Sequence, residues 1–91
     1  MQEKLFVYVL RSDVDTARHY VGLTANIANR IAAHNAGQSV HTARNRPWSL
    51  VVSIEFRDER LARRFEHYLK SGSGRAFAKR HFADTSAHQP S

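Results

Sequence analysis

The sequence predicts a small α/β (α+β) domain, a three-stranded antiparallel sheet flanked by helices in the order ββαβαα. Three observations carry that expectation. Short apolar runs separated by polar turns recur at residues 5–10, 19–24 and 48–56, lengths suited to strands. Helical apolar spacing with cap residues follows the second and third runs. The connection between the first two runs is short and polar, which favours an antiparallel pair.

Leu5-Phe6-Val7-Tyr8-Val9-Leu10 is continuously apolar, as expected of a strand covered on both faces and central in its sheet. Arg11-Ser12-Asp13-Val14-Asp15-Thr16 reads as a turn, and residues 19–24 as the second strand. Thr24 or Asn26 can cap the next helix, where Ile27 and Ile31 lie one turn apart with Ala28 and Ala32 beside them. Asn35-Ala36-Gly37 closes it, with Gly37 placed as the C-terminal cap. Residues 38–47 show no periodicity and read as a loop. In the third strand Leu50, Val52, Ile54 and Phe56 share a face by period two. Asp58 suits the N-cap of a helix whose expected core stripe is Leu61, Ala62, Phe65 and Leu69. Ser71-Gly72-Ser73-Gly74 is expected to break the chain before a short last helix over residues 75–82 that docks Phe77 and Phe82. Residues 1–82 then form one domain, and 83–91 a tail with too few apolar residues to hold itself in place.

Ninety-one residues support one modest core and no second domain. A hydrophobic content of 42% argues against wholesale disorder. There is no cysteine, hence no disulfide framework and no thiolate metal site, and the N-terminus lacks a signal-peptide layout. A cytoplasmic location is expected from these two features. No apolar stretch approaches the roughly 20 residues that span a bilayer, so no membrane partner is expected. The histidines show no zinc-binding spacing, and Gly72 and Gly74 do not build a phosphate-binding loop. The formal charge of +6, with most arginines between Arg44 and Arg80, points to a polyanionic partner. Nucleic acid is the commonest such partner.

Candidate chemistry is concentrated in a few positions. Tyr8 lies in the first strand and Tyr20 in His19-Tyr20-Val21-Gly22. Arg30-Ile31-Ala32-Ala33-His34-Asn35 sets an arginine and a histidine one helical turn apart, pointing the same way. Glu66 falls in Ala62-Arg63-Arg64-Phe65-Glu66-His67-Tyr68-Leu69-Lys70, at the border of an apolar stripe. Together with Pro47-Trp48-Ser49-Leu50-Val51 and Ser71-Gly72-Ser73-Gly74-Arg75, this ordered set resembles the GIY-YIG nuclease superfamily, in particular its small stand-alone members, over residues 5–82. The first triplet departs from the family's name, reading Val7-Tyr8-Val9. Some restriction-enzyme relatives carry an asparagine about twelve residues beyond the glutamate, a feature this chain lacks.

The resemblance implies a GIY-YIG-like fold and a metal-dependent endonuclease that hydrolyses phosphodiester bonds in DNA, leaving a 5′-phosphate and a 3′-hydroxyl. It implies branched, flapped or single-stranded substrates, a role in DNA repair, recombination or nucleic-acid turnover, and Mg2+ or Mn2+ as cofactor. Tyr8, Tyr20, Arg30, His34 and Glu66 become the catalytic residues, with Glu66 the metal ligand. Physical chemistry supports those residue types. A carboxylate suits Mg2+, which takes one or two of them and keeps several waters. A guanidinium forks two phosphate oxygens and does not lose its proton. The base stays open among Tyr8, Tyr20 and His34, the family's use of the position favouring Tyr8. A phenol with a pKa of about 10 would need nearby positive charge or the metal to lower it.

His41, Thr42, Arg44, Asn45 and Arg46 precede the third strand, and Arg63, Arg64, Lys70, Arg75, Lys79 and Arg80 follow it. Of these, Thr42, Arg44, Arg46, Arg63, Lys70 and Arg75 are the expected nucleic-acid contacts, with DNA ahead of RNA. Phosphate contacts carry no sequence information, so a protein partner supplying specificity would fit, and the oligomeric state is left open. Two other readings compete: a non-catalytic nucleic-acid-binding module with the same fold, and a protein-interaction domain that meets an acidic partner. Glu66 and Lys70 also form an i,i+4 pair worth roughly 0.2–0.5 kcal/mol without any function.

Overall fold

The computed structural model describes residues 4–82, so residues 1–3 and the expected tail at 83–91 lie outside the described residues. Strand β1 (Leu5–Ser12) runs between β2 (His19–Thr24) and β3 (Trp48–Phe56), antiparallel to both, in the sheet order β2-β1-β3. Its central place explains the unbroken apolar run: Val7, Tyr8, Val9 and Leu10 are all buried because both faces are covered. β1 is longer than expected. Arg11 and Ser12 still pair with Ser49 and Trp48, and the Ser12 hydroxyl then accepts the N–H groups of Val14 and Asp15 at the turn.

Side-chain alternation gives the sheet two faces. Val7 and Val9 pack with Ala62 and Leu69 of α2 (Glu59–Leu69), and with Phe77 and Phe82 of α3 (Gly72–Phe82). Tyr8 and Leu10 lie on the opposite face with Trp48, Tyr20, and Ile27 and Ile31 of α1 (Ile27–Asn35). The expected single-face stripe of β3 does not survive, because β3 carries a bulge. Val9 opposes Val52 while Leu10 opposes Leu50, leaving Val51 as an extra residue. Val52 therefore joins the α2 and α3 side, whereas Leu50 sits beside Leu10 and is 42% exposed.

Leu61 is a second correction: it is 48% exposed, outside the core of α2. An α-helix turns about 100° per residue. The stripe that meets the sheet is Ala62, Phe65 and Leu69, and Leu61 falls beyond its edge. Asp58 caps α2 as expected, its carboxylate accepting the Arg60 N–H at 2.8 Å.

At α1, Asn26 is the candidate that caps the helix, and Thr24 braces the cap residue from two positions before it. Asn26 Oδ1 accepts the N–H of Asn29 at 3.0 Å, and Thr24 Oγ1 accepts that of Asn26 at 3.1 Å. Gly37 closes the helix with a φ of +81°, the left-handed region that glycine enters without strain. The loop that follows holds a short 3-10 turn, Ala43–Asn45, which no apolar period announced. The expected break at residues 71–74 is much shorter than predicted, since α3 starts at Gly72. Gly74 is buried inside that helix, where a Cβ would stand 1.7 Å from the Tyr68 carbonyl oxygen, so the glycine permits α3 to approach α2.

Candidate active site

The two faces of the sheet meet at the β2 edge in an open cleft of about 500 Å³, lined by Tyr8, Tyr20, Gly22, Arg30, Arg63 and Glu66 among others. Gly22 is what lets Tyr8 reach it. The two residues are opposite each other in register, and a Cβ on Gly22 would lie 2.3 Å from the phenol oxygen. The ring thus occupies space that any other side chain on β2 would claim.

Helix α1 supplies the next layer. Arg30 and His34, one turn apart, both turn toward Tyr8: its oxygen is 2.9 Å from His34 Nε2 and 3.4 Å from Arg30 Nε. The Tyr20 ring stands edge-on to His34 with centroids 4.8 Å apart, and 6.3 Å from the Tyr8 ring. His34 is fully buried, and its Nδ1 lies 2.7 Å from Thr42 Oγ1. Asn35 fastens the end of this helix to the sheet. Its side-chain oxygen accepts the Trp48 N–H at 2.7 Å, and its amide donates to the Trp48 carbonyl at 3.1 Å.

Burial sets the electrostatics. It pushes the Tyr8 phenol above its ordinary value, and the charges of Tyr20 and Glu66 push the same way. The Arg30 N–H and charge pull it down, as expected, but desolvation outweighs them. The Tyr8 bond in turn holds Arg30 more firmly charged. Burial, followed by the Arg30 charge, pushes His34 down, which keeps the imidazole neutral near pH 7.

Glu66 arrives from the other face of the sheet, on α2, with its side chain 20% exposed and ion-paired to Lys70. The described residues contain no group of three or more His, Cys, Asp or Glu that could enclose a metal. A single carboxylate on an open cleft instead fits a hard divalent cation that keeps most of its coordination for water and substrate oxygens. Mg2+ and Mn2+ meet that description, and Glu66 is the residue that would hold either.

The expected nucleic-acid contacts divide. Thr42 is a correction: it is fully buried between His34 and Trp48, so it presents nothing to a polyanion. Arg63 lines the cleft while bonded to Glu59 at 2.8 Å. Lys70 is engaged by Glu66, and Arg75 Nε donates to the Lys70 carbonyl at 3.3 Å. Arg44 is exposed, and so is Arg46, whose Nε donates to the Ala43 carbonyl beside Gly37. Sequence reasoning missed the fastening role of Asn35 and the space that Gly22 leaves. The signals were there in a His-Asn pair at a helix end and a glycine inside a strand.

The chain is 38% identical over 71 residues to the structure-specific endonuclease subunit SLX1 of Chaetomium globosum, covering 71% of this chain and 22% of that protein. It is 39% identical over 66 residues to the SLX1 subunit of Podospora anserina, covering 66% and 19%. The chain spans about a fifth of the length of these two relatives. A UPF0213 protein of Natronomonas pharaonis, NP_0776A, is 39% identical over 80 residues, which is 87% of this chain and 91% of that one. The model of the GIY-YIG catalytic domain matches residues 4–82, the whole of the described fold, and the chain belongs to the GIY-YIG family.

Proposed function

We propose that this domain is a metal-dependent endonuclease that hydrolyses phosphodiester bonds in DNA. The observation that carries the reading is the convergence of Tyr8, Tyr20 and Arg30 with Glu66 at one cleft, from opposite faces of the sheet. Mg2+ or Mn2+, held by Glu66, would polarise the phosphate and stabilise the leaving 3′-oxygen. Arg30 offers its guanidinium to the charge that builds on the phosphoryl oxygens.

The raised Tyr8 pKa bears on the base. A free phenolate is disfavoured, but the phenol can take a proton from the attacking water while passing its own hydrogen to His34 Nε2. Hydroxide is delivered to phosphorus and the proton ends on the imidazole, with no charged phenolate formed. Tyr20, beside both groups, orients the water or the scissile phosphate. Arg63 at the cleft rim and the exposed Arg44, Arg46 and Arg75 hold the flanking backbone. The relatives named as structure-specific endonuclease subunits support branched or flapped DNA as substrate, a repair or recombination setting, and a protein partner that adds specificity.

The test is nicking of supercoiled plasmid and of a labelled flap, with Mg2+, Mn2+ or EDTA, and a matched RNA flap alongside. Cleavage is expected with either metal and none in EDTA, and Glu66→Ala should lose about 1,000-fold or more of the rate. A folded protein that binds DNA in a salt-sensitive manner, equally well in EDTA and never nicking it, would make this a binding module instead.

A further inference from the structure

His34 touches Tyr8 with one ring nitrogen and Thr42 with the other, and the surroundings decide which nitrogen carries the hydrogen. Arg30 can only donate, and its Nε lies 3.4 Å from the Tyr8 oxygen. The Tyr8 hydroxyl hydrogen then needs an acceptor, which His34 Nε2 supplies at 2.9 Å. Nε2 is therefore the nitrogen with the lone pair, and Nδ1–H donates to Thr42 Oγ1 at 2.7 Å. The reverse tautomer would set two donors, Nε2–H and the Arg30 N–H, against the Tyr8 oxygen and leave the hydrogen of this 1% exposed phenol no side-chain acceptor among its hydrogen-bond partners.

Thr42 is itself held rigidly. Its N–H donates to the Ser39 carbonyl at 3.2 Å, and its own carbonyl accepts the Trp48 Nε1–H at 2.8 Å. Its hydroxyl approaches the Ser39 carbonyl at 3.5 Å, which leaves an oxygen lone pair for the ring. The threonine methyl and hydroxyl have no path to solvent, since the residue is fully buried.

We propose that Thr42 is a positioning residue: its hydroxyl oxygen holds His34 in the Nδ1–H tautomer, so that Nε2 is presented to the Tyr8 hydroxyl as a proton acceptor. Its consequence for cleavage rests on the nuclease reading; the tautomer itself does not. The groups that face His34 are Tyr8 from β1, Tyr20 from β2, Arg30 from its own helix and Thr42 from the loop, and of these Arg30 alone carries a charge near pH 7. Thr42 can therefore fix the proton's location without adding charge of its own.

The experiment is a long-range 15N–1H correlation spectrum of the full chain with 15N-labelled histidine, for the parent protein, Thr42→Ser and Thr42→Val. The parent and Thr42→Ser should show His34 as Nδ1–H. Thr42→Val, which keeps the shape and removes the oxygen, should populate Nε2–H. In cleavage, Thr42→Val should lower kcat by about 10–100-fold with KM changed less than about twofold, and Thr42→Ser should restore most of it. An Nε2–H ring in the parent protein overturns the proposal, as does Thr42→Val with an unshifted tautomer and normal kcat. If Thr42→Val fails to fold by far-ultraviolet dichroism, the parent and Thr42→Ser spectra still decide, because Nε2–H in either is fatal. Failure of the parent to cleave would remove the nuclease reading and leave the tautomer result to stand or fall separately.

Discussion

The two faces of the sheet are built from different chemistry. On the α2 and α3 side, Val7, Val9, Ala62 and Leu69 are buried against phenylalanines, and the contacts are apolar. On the α1 side, Tyr8, Leu10 and Trp48 are buried together with His34 and Thr42, and the polar atoms among them are joined by hydrogen bonds. One face supplies hydrophobic stabilisation, which is insensitive to orientation. The other supplies directed bonds whose value depends on geometry, and it carries Tyr8, Tyr20, Arg30 and His34 of the candidate site, to which α2 adds Glu66 from the apolar side. In a domain this small the two tasks share one strand, and alternate residues of β1 serve alternate purposes.

Substitutions that separate the faces would test this division. The largest change in stability is expected from Leu69→Ala, which opens a cavity on the apolar side and should cost about 2–5 kcal/mol in denaturant unfolding. Cleavage per folded molecule should change less than about threefold, because no polar contact of the site is touched. Equal losses of activity and stability in that variant would mean that the faces are not independent.

Gly22→Ala should produce the opposite pattern. Its methyl group would meet the Tyr8 hydroxyl 2.3 Å away, so the phenol must move off His34. We expect a destabilisation of about 1–3 kcal/mol and a loss of cleavage at least tenfold beyond what the unfolded fraction explains. Retention of full activity would show that the Tyr8–His34 bond is dispensable.

The smallest expected effect is on pH dependence. His34 is depressed by burial and by Arg30, so between its folded value and the unfolded value of about 6.5 the unfolded chain binds more protons. Stability from this group is fully present above that unfolded value, declines as the pH falls below it, and levels off beneath the folded value. His34→Gln should flatten that part of a stability-against-pH curve measured by chemical denaturation. An unchanged slope would place the proton uptake elsewhere.

Much of this was readable from the residues because local rules and tertiary structure agreed. The unbroken run at residues 5–10 did mark the central strand, Asp58 and Asn26 did cap their helices, and the helical spacing of Arg30 and His34 did point both at one place. What escaped prediction depended on non-local contact. The bulge at Val51 arises from pairing with β1, so period two within β3 could not reveal it. Leu61 satisfies an i,i+4 spacing with Phe65, and the three-dimensional position of the sheet decides that it stays outside. Thr42 sits in a polar, basic stretch whose composition suggests a surface, yet Trp48 and His34 enclose it. Loop residues that enter a core through side-chain bonds leave no periodic trace.

Trp48 has one more consequence. It is the sole tryptophan of the chain, 5% exposed, with its indole N–H given to the carbonyl of Thr42. Its fluorescence therefore comes from directly beneath the polar network, without any label. An indole moved from this dry setting into water emits at longer wavelength, so the emission maximum follows the integrity of the α1 side. Backbone dichroism averages over the whole domain, and a difference between the two signals would expose loosening around the chemistry before the fold is lost.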